Sequence, residues 1–492
     1  MTFDSRQLTS RAAPPARSGL TLGISIRWFI FGLLLLFSAI WFTGNLENAQ
    51  LTRIAPFFGV AILLYLLPVI VSPGGDLFSP VVFTGIDGGL KLGATFVAVL
   101  VTGYVDIGLN GLGSEERRLE LVQMVVVVHI VAQISYLLGY YLSSGQRVAK
   151  WLPKPIEGRW LPNRLALVII CIGVVATLAF SAFQDRLGGN AFDVARMGQA
   201  KRLLGSDVTQ SWIPRGVTLA LLPCILLCAA AFQKRSIAGS VAALGLLGAV
   251  AYLVTQLGQR GPAIGAIAFA IMLFHYMVRR VHIFWFLGAY ITAVVISNVL
   301  GDIRTANNPE GYNMAVGFSD EAGSPVEAMA RHGAERQRLT VDTMVVEYFP
   351  DKHPLLLGRS WLPVLVAPIP RWIWPKKAEL NGYSDTGLAT TLIGNMTPTP
   401  FRMLVFANFW WPGLVIIMYL WGAFHRGLYT WLRTSSFDKN SILMYTADLG
   451  TCDPSLLGVS AMLQTVLPLW VILWFITKKE QSLGASLVAG RA

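Results

Sequence analysis

Two prolines enclose an arginine and two tryptophans in one short segment of the chain, and two lysines follow. It reads Ile369-Pro370-Arg371-Trp372-Ile373-Trp374-Pro375-Lys376-Lys377. Proline restricts the backbone, tryptophan packs on sugar faces or lies at a membrane interface, and cations bind phosphate. The pattern therefore indicates either an interfacial anchor or a site for a phosphorylated glycan, with Arg371 and Lys376 as the anion ligands.

A second arginine lies between glycines at the end of an apolar run, in Gly258-Gln259-Arg260-Gly261-Pro262. Glycine allows a ligand or another backbone to approach closely, and proline is favoured at the first position of a helix. The free N–H groups of that helix would attract an anion. Arg260 is thus a candidate anion ligand, and the alternative is an arginine that only reaches the headgroups.

The longest hydrophilic stretch, 301–400, contains a capping box at Ser324 to Glu327 that predicts a helix ending near Phe349, before Pro350. One face of this helix is apolar. The other carries four charged residues at helical spacing, which form either an intrahelical ladder of ion pairs or a charged wall facing an anionic ligand. These four residues are Arg331, Glu335, Arg338 and Asp342.

Other polar residues give weaker signals. Segment 185–212 contains Arg196 in a short basic helix, which favours a surface helix on anionic headgroups or an anion site. His353 and His332 are possible general bases, whereas four histidines in or beside apolar runs, His129 among them, indicate structural hydrogen bonds. The thiols of Cys224 and Cys228 are interpreted as buried. The motifs typical of zinc, nucleotide and redox sites are absent, so no metal is predicted.

Composition shows which elements must position these residues. Of the 492 residues, 54% are hydrophobic and only 13% are charged, and the formal net charge is +12. This excludes an ordinary soluble enzyme, a disordered chain and a disulfide scaffold. Much of the positive charge lies between or beside apolar runs, which indicates membrane orientation and not nucleic-acid binding. The predicted fold class is an all-α polytopic membrane protein.

Apolar runs predict eleven spans, of which 83–105 is the weakest because it contains Asp87 and Lys91. They are 21–43, 54–71, 83–105, 120–142, 162–184, 213–232, 236–256, 261–278, 281–300, 401–425 and 456–477.

Lysine and arginine in the short loops predict a cytoplasmic N-terminus and a cytoplasmic loop 143–161. Segments 185–212 and 301–400 then lie in the periplasm of a bacterium. Basic residues on both sides of the last span require one further return, which a re-entrant segment at 440–455 would supply. The predicted domains are a bundle at 1–300, a periplasmic domain at 301–400 and C-terminal spans at 401–492.

Several motifs occur in an order that resembles a known family. Gly258 to Pro262 ends a span, Ile369 to Lys377 lies in the large insert, and Thr397-Pro398-Thr399-Pro400 precedes Phe406-Ala407-Asn408-Phe409 and Gly413. From about 230 to 425 the chain resembles the bacterial Wzy-type polymerases of oligosaccharide repeat units. The resemblance implies a GT-C-type helical bundle with 11–12 spans in the bacterial inner membrane.

The resemblance also implies the reaction. The donor is a glycan on undecaprenyl pyrophosphate, the acceptor is a second lipid-linked repeat unit, and no cofactor is needed. A chain-length regulator protein and membrane lipid are the implied partners. Arg260 and Arg371 would stabilise the leaving pyrophosphate, and His353 or Asp342 would act as the base, with Glu347 and His332 as further possibilities. The expected substrate-binding residues are Arg196, Arg304, Arg338, Arg359, Trp372, Trp374, Lys376, Arg402 and Asn408.

Three alternative functions stay open. An O-antigen ligase would share the architecture and the chemistry, but it would pass the glycan to the lipid A core. If the protein were a flippase for lipid-linked oligosaccharide, its sequence should contain ionisable residues in mid-membrane and two repeated halves. A non-catalytic scaffold of an export system would tolerate neutral substitution of the arginines named above.

Overall fold

The structure is a computed structural model. It describes residues 49–71, 76–101, 114–187, 212–255, 260–289, 292, 334–365, 374, 388, 399–451 and 465–478. The predicted first span, 21–43, lies outside these residues, as do segment 188–211 and most of 301–400.

Long apolar helices confirm that the chain is an all-α membrane protein. Six described helices are long and apolar enough to cross a bilayer. They are Arg53–Ile70, Glu116–Leu142, Pro162–Asp185, Gly216–Lys234, Ile237–Thr255 and Phe401–Thr434.

Each of these six helices corresponds to one of the predicted spans. Many of their large apolar side chains are exposed, as Ile170 and Leu178 are. Lipid is the environment that suits such surfaces.

The described residues form two compact units. The first contains residues 49–151 and 334–436, within the ranges above. Its helices are α1 (Ala49–Val71), α2 (Pro80–Val101), α3 (Glu115–Leu142), α4 (Gly145–Ala149), α10 (Ala334–Tyr348), α11 (Leu362–Leu365) and α12 (Phe401–Thr434).

Helix α2 shows how a span with two charged residues is accommodated. Asp87 and Lys91 lie one turn apart, and Lys91 Nζ is 2.6 Å from Asp87 Oδ2. The pair neutralises both charges inside the helix. A helix at the weakest of the predicted spans, 83–105, is therefore confirmed, although α2 is not among the six most apolar helices.

Helices α3 and α12 pack closely and run in the same direction. His129 contacts Arg402, and further along both helices Tyr140 contacts Arg426. Glycine makes the approach possible, because a Cβ at Gly139 would collide with the backbone carbonyl of Tyr419. The ends of the two helices that the sequence assigned to the cytoplasm therefore lie on the same side.

Helix α12 is kinked at Trp410, whose backbone is not helical (φ 55°, ψ −149°). Proline at 412 has no N–H, so the carbonyl of Asn408 has no helical partner. Leu357 N donates to that carbonyl at 3.1 Å, and Leu356 N donates to the carbonyl of Ala407 at 3.0 Å. The kink therefore binds the loop that follows α10 to the first segment of α12.

The second unit contains described residues of 152–292, 437–451 and 465–478. Its elements are β1 (Arg159–Trp160), α5 (Pro162–Leu187), α6 (Trp212–Leu219), α7 (Leu221–Lys234), α8 (Ile237–Thr255), α9 (Arg260–Met277), α13 (Lys439–Thr451), α14 (Leu467–Ile476) and β2 (Thr477–Lys478).

A short antiparallel pairing of β1 with β2 lies where the start of α13 meets the end of α14. Arg159 pairs with Lys478, and Asn440 at the start of α13 accepts a hydrogen bond from Trp160 Nε1 at 2.7 Å. Asn440 also donates to Thr477 at 3.2 Å. The start of α13 and the end of α14 therefore lie at one place. Re-entry of 440–455 into the membrane stays a prediction.

Candidate functional site

A histidine, a carboxylate and an arginine from three helices meet in the first unit. Oδ2 of Asp342 on α10 lies 3.5 Å from Nε2 of His129 on α3. Nη1 of Arg402, at the start of α12, lies 2.8 Å from Nδ1 of the same histidine. The hydroxyl of Tyr65 on α1 is 3.4 Å from that Nδ1 atom. These four residues are called the Asp342 cluster below.

The neighbours of His129 determine which ring nitrogen carries the proton. A guanidinium group can only donate hydrogen bonds, so Nδ1 of His129 accepts from Arg402. The proton of the neutral ring is then on Nε2, which faces the carboxylate of Asp342. A carboxylate that accepts from the distal ring nitrogen holds the imidazole in one tautomer and one orientation.

Burial makes the Asp342 cluster sensitive to charge. Asp342 is 4% exposed, and Tyr65 is 3% exposed. The guanidinium of Arg402 lies over the Tyr65 ring, 5.3 Å from its centroid, and Arg402 itself is half-buried. A carboxylate in such surroundings is stable when positive groups and hydrogen-bond donors lie nearby. Nε2 of His129 lies beside the Asp342 carboxylate, and Arg402 contacts Nδ1 of the same ring.

A second group of charges lies at the end of α10. Glu347 accepts from Nη2 of Arg117 at 2.9 Å and from Nζ of Lys352 at 2.6 Å. Arg117, in the first turn of α3, also contacts Glu120 at 3.2 Å. These four residues are called the Glu347 cluster. It connects the end of α10 to the beginning of α3.

The ionisation of Glu347 depends on its two cationic partners. Burial alone would raise the pKa of this carboxyl, but hydrogen bonds from Lys352 and Arg117 outweigh burial and lower the pKa below its ordinary value. Glu347 is therefore ionised at neutral pH. A charge-neutralised carboxylate is a poor base, so the geometry favours Asp342 over Glu347 for proton transfer.

The loop after α10 carries two further predicted residues on its surface. His353 is exposed and stacks on Tyr348, with ring centroids 5.4 Å apart. Arg359 is exposed at the start of a single 3₁₀ turn, Arg359–Trp361. This surface adjoins the Glu347 cluster, because Lys352 lies between Glu347 and His353 in the chain.

Asn408 is fully buried and holds this loop in place. Its Oδ1 atom accepts from Gly358 N at 2.8 Å, and its Nδ2 atom donates to Ser360 Oγ at 2.6 Å. The amide therefore has a structural role at the kink of α12. Asn408, a predicted substrate ligand, binds protein groups on both sides of its amide in this structure.

Three other predicted residues lie within the part of the chain that the structure describes. Arg260 begins α9, Arg338 lies in α10, and Trp374 is 40% exposed. Five predicted ligands lie outside the described residues. They are Arg196, Arg304, Arg371, Trp372 and Lys376.

Sequence reasoning did not select five residues of the two clusters, which are Tyr65, Arg117, Glu120, His129 and Lys352. His129 was assigned a structural hydrogen bond; it makes hydrogen bonds with Arg402 and Tyr65, and its other ring nitrogen lies 3.5 Å from the carboxylate of Asp342. Arg117 was not considered. It precedes a span on the side predicted to be periplasmic, where positive residues are unusual, and that was the available signal.

The two clusters together can bind an anion and accept a proton. Arg117, Lys352, Arg359 and Arg402 supply positive charge around the ends of α3, α10 and α12. Asp342 supplies a buried carboxylate beside a histidine of fixed tautomer. This combination suits a reaction in which an anionic group leaves and a hydroxyl group loses its proton.

No family model, no curated protein and no solved structure matches this chain.

Proposed function

We propose that the protein is a membrane glycosyltransferase that polymerises oligosaccharide repeat units carried on undecaprenyl pyrophosphate at the periplasmic face of the bacterial inner membrane. The observation that carries this proposal is the contact of Asp342 and Arg402 with one histidine, His129, in a protein of long apolar helices. The ordered motifs between about 230 and 425 add the resemblance to Wzy-type polymerases.

The proposed reaction assigns a task to three members of the Asp342 cluster, namely Asp342, Arg402 and His129. An acceptor hydroxyl oxygen attacks the anomeric carbon of the donor, and the bond from that carbon to the pyrophosphate oxygen breaks. The bonding electrons leave with the pyrophosphate, whose growing charge the Arg402 guanidinium stabilises. The hydroxyl proton passes to the Asp342 carboxylate. His129 is a positioning residue that orients Asp342.

Cations outside this cluster complete the proposed donor site. Arg359, which is exposed in the loop after α10, is proposed to attract the lipid pyrophosphate, because Arg117 and Lys352 are already paired with Glu120 and Glu347. Arg260, Arg371 and Lys376 stay candidate pyrophosphate ligands on the strength of their motifs. The tryptophans Trp372 and Trp374 are proposed to pack on sugar or on lipid.

Purified lipid-linked repeat units supplied to the purified protein test this proposal. We expect longer glycans on the same lipid, resolved as a ladder on a gel, and a strongly slowed ladder with Asp342→Asn or Arg402→Ala. Asp351→Asn is the matched control, because Asp351 is an exposed aspartate in the loop after α10. Transfer to added lipid A core would instead indicate a ligase, and an unchanged ladder in both variants would remove the assigned site.

A second candidate function is transport of the lipid-linked oligosaccharide across the membrane. One observation favours it, since His129 lies near the midpoint of α3 and contacts two ionisable residues. Ionisable groups beside the middle of a span are typical of transport pathways. Proteoliposomes that move a fluorescent lipid-linked glycan between leaflets, without making longer chains, would support this candidate.

A further inference from the structure

An apolar groove runs between α7, α8, α9 and the helical residues 283–289 of the second unit. It has a volume of about 340 Å³. Its walls are aliphatic and aromatic throughout, and they include Phe232, Gly248, Ile271, Phe274, Val281 and Trp285.

Four basic residues lie at one end of this groove. The rings of Phe232 and Phe274 are in contact, with centroids 5.7 Å apart, so the ends of α7 and α9 are neighbours. Lys234 and Arg235 follow Phe232 within three positions, and Arg279 and Arg280 follow Phe274 within six. All four are exposed.

The backbone that carries these cations is fixed by hydrogen bonds. Val281 N donates to Nδ1 of His275 at 3.0 Å, which closes the turn that contains Arg279 and Arg280. At the end of α7, Arg235 adopts a left-handed conformation (φ 50°), and its N–H bonds back to the carbonyl of Phe232 at 3.1 Å. The positive charges are therefore held beside the groove by their own turns.

We propose that the groove binds one acyl chain of an anionic phospholipid whose phosphate lies against Arg279 and Arg280. Inside a bilayer an apolar groove has no preference among lipids, because lipid tails are as apolar as its walls. Selection must then come from the headgroup, and basic residues at the end of a groove between spans select a negative one. The exposed Trp285 suits the same interfacial level.

This site is separate from the proposed glycosyltransfer, since none of its residues belongs to the two clusters described above. Its occupant is structural lipid of the surrounding leaflet. The test therefore measures lipid retention and needs no knowledge of activity.

The experiment compares two lipids with identical chains, palmitoyl-oleoyl phosphatidylglycerol and palmitoyl-oleoyl phosphatidylcholine. The full-length protein is reconstituted with an equal mixture and re-purified in detergent, and the retained lipids are quantified by mass spectrometry. We expect phosphatidylglycerol to be retained over phosphatidylcholine, and the Arg279→Ala/Arg280→Ala variant to lower this preference by about tenfold. Arg147→Ala/Lys150→Ala removes the same charge from exposed residues outside the groove and should leave the preference unchanged.

A second variant tests the groove itself. A side chain at Gly248 would meet no other atom within 4 Å, so Gly248→Leu should fill the groove without disturbing the fold and lower the retention of phosphatidylglycerol. Gly173→Leu places the same side chain at an equally open position in α5 and serves as the control. Equal retention of both lipids by the wild type, or unchanged retention in both groove variants, overturns the proposal.

Discussion

Nη1 of Arg402 lies 2.8 Å from Nδ1 of His129, although 273 positions separate the two residues in the chain. Because the guanidinium can only donate, this contact places the neutral ring's proton on Nε2, beside the carboxylate of Asp342. This hydrogen bond therefore determines the tautomer of His129 and the ring nitrogen atom that faces Asp342.

Replacing Asp342 with asparagine should abolish most of the activity while preserving the fold. The amide keeps the size and shape of the carboxyl group beside Nε2 of His129, but the side chain can no longer take a proton. We expect polymer formation by the purified protein to fall by about 10²- to 10⁴-fold. The measurement is the rate at which the glycan ladder grows at a saturating concentration of lipid-linked units.

Asp351→Asn makes the same chemical change at an exposed position of the loop after α10. It should retain the wild-type rate. Equal rates for the two variants would show that Asp342 is not the base.

Substitutions at Arg402 should separate its charge from its hydrogen-bonding geometry. Lysine keeps the positive charge but lacks the planar fork that reaches both His129 and the Tyr65 ring. We expect Arg402→Ala to lose activity by about 10²-fold or more and Arg402→Lys to keep an intermediate activity. Tyr65→Phe keeps the ring under the guanidinium and should have little effect. Full activity of Arg402→Ala would contradict the proposed role.

Glu347 should make stability depend on acidic pH. Its pKa is lowered in the folded protein, so its contribution is complete above its ordinary pKa of 4.5 and is lost as the pH falls through the folded value. Glu347→Gln should lower stability at pH 7 by about 1–3 kcal/mol and flatten the acid-side decline of Tm. Thermal unfolding between pH 7 and pH 3 measures both effects.

Glu116→Gln is the control for this experiment, because the Glu116 side chain is 75% exposed and its contact with Arg53 is 3.8 Å long. Exposed pairs of this kind contribute little. A Glu347→Gln variant with the same pH profile as the wild type would show that the Glu347 cluster does not stabilise the fold.

Asn408→Leu should destabilise the first unit. The substitution keeps a side chain of similar size but leaves Gly358 N–H and Ser360 without the amide that binds them. We expect a loss of about 2–4 kcal/mol, seen as a lower Tm in detergent, whereas Ser360→Ala should cost only about 1 kcal/mol. If Asn408→Leu were as stable as the wild type, the role of Asn408 at the kink would be wrong.

Gly139→Ala should weaken the packing of α3 on α12. The added methyl group would collide with the backbone carbonyl of Tyr419, which cannot move independently of its helix. A cost of about 1–3 kcal/mol is expected. At Gly173 a methyl group would meet nothing within 4 Å, so Gly173→Ala should be neutral or slightly stabilising. Comparison of the two Tm values checks the prediction, and equal values would contradict it.

The spans could be predicted because hydropathy is a local property of the sequence. The end of α12 could not, since the predicted boundary was placed before Arg426 and the helix continues to Thr434. Arg426 lies over the ring of Tyr140, 5.4 Å from its centroid, which allows a charged residue to remain within the packed helix pair. Tyr140 lies on another helix, so the hydropathy of the sequence around Arg426 does not reveal this contact.

The candidate site was predictable only in part for the same reason. Helical spacing placed Asp342 on a charged face, and Pro350 indicated the end of α10, which the structure has at Tyr348. The partner of Asp342, His129, lies on α3 and carried no motif. Of the predicted apolar face of α10, Val341 and Val345 are buried and Met344 and Tyr348 are half-buried, but Asp342 and Glu347 are buried as well. Charged residues at this helical spacing can form either ion pairs within the helix or buried contacts with another helix. Only the tertiary packing distinguishes the two.

The order in which the ribosome makes this chain has a consequence for its assembly. Helix α3 is synthesised well before α12, yet α12 supplies the arginine for His129, the carbonyl against Gly139 and the imidazole that binds Tyr136. Until α12 has entered the bilayer, these groups on α3 face lipid or water. The N-terminal helices can therefore reach their final packing only after translation has passed codon 434, so a nascent chain that stalls earlier cannot mature.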